Sequence, residues 1–136
     1  MNKLQKIVLI MLLIPNLAMA ESYLCIAEAA GGIKFDENTY KPLGTSFEVT
    51  QKYIIKKTRD EWQVQKFGEK SIFSLSCEAR TNFIDCKNIM GGDFIISTNK
   101  LRYFMHSVAG WSGPYMVGDE KYNHTPYVEV GSCSEI

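Results

Sequence analysis

Beyond its first segment the sequence has no apolar run approaching the roughly 20 residues needed to cross a bilayer, and no stretch with sustained helical periodicity. It has no Cys-x-x-Cys pair, no Gly-x-Ser-x-Gly elbow and no glycine loop of the kind that cradles phosphate ahead of a helix. Histidine is scarce: His106 and His124 lie far from any cysteine in sequence, which argues against a zinc site. Charge of one sign is missing too, since 15 Lys and Arg balance 15 Asp and Glu. Nonspecific nucleic-acid binding depends on surplus cations that displace counterions, so no nucleic-acid partner is expected. His106, Asp93, Ser112, Asp119 and Glu120 form no recognisable catalytic arrangement, and neither an enzyme nor a metal or other cofactor is expected.

What is present starts with Lys3 and Lys6, the apolar run 7–14, the break at Pro15-Asn16, and the small residues of Ala18-Met19-Ala20. This pattern predicts a signal peptide over 1–20, cleaved before Glu21, and a single β domain over 21–136. The apolar core is too short for a retained anchor, so no membrane association is expected after cleavage. Cys25 lies several residues past the cleavage site, which argues against lipidation there. The bacterial look of the signal makes the Asn123-His124-Thr125 sequon uninformative and places the mature chain in the periplasm or outside the cell.

The four cysteines, Cys25, Cys77, Cys86 and Cys133, all lie in the exported part, where an even number in a small domain reads as disulfides. Three connectivities are possible. The spacing favours Cys77 with Cys86 across a hairpin or short loop, and Cys25 with Cys133 tying the first strand to the last.

Period-two alternation then predicts an all-β fold. Strands are expected near 22–27, 33–36, 40–47, 52–58, 62–67, 72–79, 83–88, 93–97, 101–107 and 126–130, with Gly31-Gly32 ending the first. Phe73, Leu75, Cys77 and Ala79 are expected on one buried face. Thr98-Asn99-Lys100 should turn the best-defined hairpin. About eight short strands without a helix suit a small antiparallel barrel or a two-sheet sandwich with two disulfides, sequence order favouring a meander.

One connection, 107–125, is too long for that economy, and long loops without structure are usually functional. It combines glycines and a proline with Trp111, Tyr115, Met116 and Tyr122, which makes it the candidate partner-binding loop. The competing reading has the same aromatics folding back to plug one end of the barrel. Lys52, Lys56, Lys57 and Arg59 form a small basic cluster that reads as a solvated face or a contact for an acidic surface.

Tyr23-Leu24-Cys25-Ile26, Trp62-x-Val64, Gly92-x-Phe94, Leu101-Arg102-Tyr103-Phe104 and Thr125-Pro126-Tyr127-Val128-Glu129-Val130-Gly131-x-Cys133-Ser134 together resemble a family of small exported proteins of proteobacteria and their mobile elements. That family has no assigned activity, so the resemblance implies export and no chemistry. More distantly, the opening Tyr-x-Cys strand, compact β pattern and C-terminal cysteine resemble periplasmic inhibitors of C-type lysozymes. Those inhibitors carry a Ser-Gly-x-x-Tyr loop, and the nearest segment here, Met90-Gly91-Gly92-Asp93-Phe94, departs from it, so no inhibitory residue carries over.

The expected function is that of an exported noncatalytic binding protein with a protein partner, an inhibitor or immunity factor against a cell-wall-degrading hydrolase or a toxin. The alternative is a lipocalin-like carrier holding a small apolar ligand among Tyr53, Trp62, Phe73, Leu101 and Tyr103.

Overall fold

A computed structural model describes residues 22–88, 91–109, 115–117, 120–122 and 125–136, with the side chains of Leu75, Asn88, 115–117 and 120–122 outside the description. The expected signal peptide, 1–20, also lies outside the described residues. Eleven strands appear among those described: β1 (Ser22–Phe35), β2 (Pro42–Ser46), β3 (Lys52–Thr58), β4 (Glu61–Lys66), β5 (Ser74–Arg80), β6 (Phe83–Asn88), β7 (Asp93–Ser97), β8 (Arg102–Ser107), β9 (Tyr115–Val117), β10 (Glu120–Tyr122) and β11 (Tyr127–Glu135).

Eight of them form one continuous antiparallel sheet in the order β4-β3-β1-β11-β8-β7-β6-β5. Its two ends approach one another: Gln65 bridges Ile72, Phe73 N–H donates to Val64 O at 2.8 Å, and Val64 N–H donates to Ser74 Oγ at 2.9 Å. The result is a nearly closed meander barrel, not a two-sheet sandwich. β2 pairs with the outer half of β1, and β9 with β10 makes a separate two-stranded sheet.

Both favoured cysteine pairs are disulfides, and each joins residues directly opposite one another on neighbouring strands, with Cα atoms 4.0 Å apart. No cysteine is free, the state expected of an oxidising, extracytoplasmic compartment. Among the described residues no helix is long and apolar enough to cross a membrane.

Alternation puts every second residue inside. Tyr53 and Ile55, Trp62 and Val64, Ile84 and Cys86, Phe94 and Ile96, and Tyr103 and Met105 all point to the core. An eight-stranded barrel is just wide enough for side chains to fill. Phe94 stacks on Tyr103 with ring centroids 4.9 Å apart, and Tyr53 meets Phe94 and Tyr103 nearly edge-on at 5.2 and 5.7 Å. Gly131 makes this possible, because a Cβ there would sit 2.4 Å from Tyr103 Cε1 and 2.1 Å from Ile26 O.

Three expectations need correction. β1 runs straight through Gly31-Gly32, with a bulge between Ala27 and Ala29, so the doubled glycine ends no strand. It marks close packing instead: a Cβ on Gly32 would lie 2.2 Å from Pro126 O and 3.0 Å from the Phe47 ring. On β5, Cys77 packs against the core while Ala79 is exposed, because the strand runs beyond the barrel seam toward its turn. The connection 107–125 is not structureless, since it contains the β9–β10 hairpin. The Thr98-Asn99-Lys100 turn does form, extended by Leu101 in the left-handed region at φ 52°.

Candidate ligand-binding site

The tight turns after β3, β5 and β7 all lie at one end of the barrel; the opposite end carries its longer connections. There the chain between β2 and β3 is stitched across the rim: Phe47 N–H donates to Ala30 O at 3.1 Å and Ala27 N–H to Gln51 O at 3.0 Å. Ile33 N–H reaches Pro126 O at 3.0 Å, fixing the entry to β11 beside the same rim. Gly32 lets these pieces converge, and Phe47 meets Tyr127 edge-on at 6.4 Å.

Within this rim opens a cavity of about 360 Å³. Phe47, Tyr53, Phe73 and Tyr127 supply aromatic wall, and Glu48, Lys66 and Glu129 supply charge. Glu129 is only 3% exposed and lies between the cavity and the packed core. Its Oε1 accepts a 2.7 Å hydrogen bond from the Tyr103 hydroxyl. Tyr53 lines the same cavity, close enough for the Glu129 charge to act on its phenol. No Lys or Arg pairs with Glu129 among the described residues, and Lys66 turns to Glu69 at 3.4 Å.

Burial and the Glu129 charge both act on the surrounding phenols. Tyr53 is held well above the usual tyrosine range, and Tyr127 is raised, by burial first and the nearby negative charge second. Tyr103 moves the same way, through burial and then its bond to Glu129. All three hydroxyls therefore keep their protons at neutral pH, and that of Tyr103 donates to Glu129.

The residues singled out by sequence divide. Tyr53 and Phe73 line the cavity and Tyr103 lies beneath its floor. Trp62 does not line it; it packs against Tyr23 at 6.0 Å, and Leu101 belongs to the turn at the opposite end. Of the candidate loop, Trp111 lies outside the described residues, while Tyr115 and Met116 are in β9 and Tyr122 in β10. Ser112 and Asp119 also lie outside them.

His106 sits on the outer face, stacked on Phe104 at 5.8 Å, with its Nδ1 accepting the Asp93 N–H at 3.3 Å. Lys52, Lys57 and Arg59 are exposed, Lys57 lying 6.0 Å above the Trp62 ring, as on a solvated face. No group of three or more His, Cys, Asp or Glu among the described residues could hold a metal ion.

Glu129 escaped sequence reading, although one signal was available. It stands four residues before Cys133, and strand parity puts it on the same inward face as that cystine. Phe47 carried no signal, because its place depends on β2 folding back along β1. Compared with known proteins, the chain matches no family model, no curated protein and no solved structure.

Proposed function

We propose that this chain is an exported, noncatalytic binding protein that takes a small organic molecule into the mouth of its barrel. The observation that carries the reading is the aromatic-walled cavity of about 360 Å³ above an otherwise filled core. That volume falls in the range of roughly 300–1,000 Å³ typical of small-molecule sites. Convergent polar groups set among aromatic rings are what orient a bound ligand. Phenols held high above neutrality favour binding over proton transfer, because efficient acids and bases titrate near the working pH. The two disulfides accord with a periplasmic or secreted location.

Native mass spectrometry of protein purified from its own compartment tests this reading. A retained small molecule that is lost from Phe73→Trp, a variant that fills the cavity, is the expected result. Protein free of ligand, together with no binding of small aromatic probes, overturns it.

The β9–β10 hairpin favours a second reading, an inhibitor or immunity role toward a wall-degrading enzyme or toxin. It forms its own sheet outside the barrel ladder, and it leaves β8 and re-enters at β11 where Ser107 pairs with Tyr127, at the cavity end. Preformed hairpins enter concave sites at low ordering cost. Capture of a hydrolase from periplasmic extract, lost when 110–124 is replaced by a short glycine linker, supports it; no capture and unchanged muramidase activity oppose it.

A further inference from the structure

The cavity's charges do not balance. Glu129, on its lining, is nearly excluded from water, yet among the described residues its carboxylate accepts from the neutral Tyr103 hydroxyl and pairs with no Lys or Arg, and a second carboxylate, Glu48, stands on the wall. The one lysine on the lining, Lys66, is drawn to Glu69. Buried carboxylates are normally paired with a cation, because desolvating an isolated charge is costly.

We propose that the cavity selects organic cations, molecules carrying an ammonium nitrogen on a small apolar or aromatic body. The inference rests on the small-ligand reading above and adds the ligand's charge. Two features act together. An ammonium near Glu129 supplies the counter-charge that no described lysine or arginine provides, in a recess where low dielectric strengthens the attraction. The rings of Tyr53, Phe73, Phe47 and Tyr127 line the same recess, and aromatic rings attract cations, as they do in sites for quaternary ammonium groups. An anionic ligand of the same shape meets two carboxylates and is disfavoured. A neutral one gains the apolar contact alone.

Isothermal titration of the full exported protein with 2-phenylethylamine, 2-phenylethanol and phenylacetate at neutral pH separates the possibilities. These probes share one ring and differ in charge. The amine is expected to bind at least about tenfold tighter than the alcohol, a difference of about 1.4 kcal/mol, with the acid weakest. In Glu129→Gln, amine affinity should fall about tenfold while the alcohol changes by less than roughly threefold. If that variant does not fold, as judged by its near-UV circular dichroism, the ranking on the unaltered protein still decides.

Equal binding of amine and alcohol, or tightest binding of the acid, overturns the cation inference and leaves the cavity reading standing. Silence from all three at millimolar concentration overturns both.

Discussion

Gly131 on β11 stands directly opposite Tyr103 on β8, and the missing Cβ is the space into which the Tyr103 ring fits. This contact positions the Tyr103 hydroxyl under Glu129, linking core packing to the cavity floor. A methyl at 131 would also meet Ile26 O, a main-chain atom of the neighbouring strand that has little freedom to move. Gly131→Ala should therefore destabilise the fold by about 3 kcal/mol, the upper range of overpacking effects. Urea denaturation measures it, and a loss under about 0.5 kcal/mol would contradict the packing described.

The two disulfides should contribute unequally. Cys25–Cys133 spans 108 residues of sequence and Cys77–Cys86 spans 9. In the chain-entropy account, removing the first by paired Cys→Ala substitution costs about 5 kcal/mol and removing the second about 3 kcal/mol. Parallel denaturation of the two double variants checks the order. Equal losses would show that loop size is not what governs them.

The bond from Tyr103 to Glu129 is a hydrogen bond to a buried carboxylate, so Tyr103→Phe should cost about 2 kcal/mol. Much of that cost is the carboxylate left with one donor fewer. In a Glu129→Gln background the same substitution should cost about 1 kcal/mol less. A double-mutant cycle read by thermal unfolding tests the coupling, and strict additivity would refute it.

Alkaline pH should unfold the protein through its phenols. Tyr53, Tyr103 and Tyr127 titrate higher in the folded chain than in the unfolded one. Below about pH 10 all are protonated in both states, and their stabilising contribution is complete. Above it the unfolded chain releases protons that the folded chain retains, so stability falls by up to about 1.4 kcal/mol per pH unit for each tyrosine. Absorbance of phenolate followed alongside circular dichroism should show these tyrosines ionising only as the fold is lost. Smooth ionisation of all seven tyrosines in intact protein would exclude it.

Much of the architecture was legible because its pattern is local. Tyr53 with Ile55, Phe94 with Ile96 and Tyr103 with Met105 alternate cleanly, and the same parity carries Cys25 and Cys133 inside. Gly31-Gly32 misled because glycine serves both reversal and close approach, and only the position of Pro126 distinguishes them. Glu129 was hidden by the ordinary expectation that a carboxylate on a strand faces water. The cavity itself joins Phe47, Phe73 and Tyr127 from three distant parts of the chain, and no short-range pattern encodes that meeting.

The adjacency of β1 and β11 reaches further than the cystine that marks it. Ile136 N–H donates to Ser22 O at 3.0 Å, so the strand that begins the described fold and the strand that finishes it meet side by side. The first and last strands of the described barrel are accordingly neighbours in space. A short tether from 136 to 22, with new ends opened at the Thr98-Asn99-Lys100 turn, would give a circular permutant that preserves every rung of the ladder and leaves the cavity rim uncut.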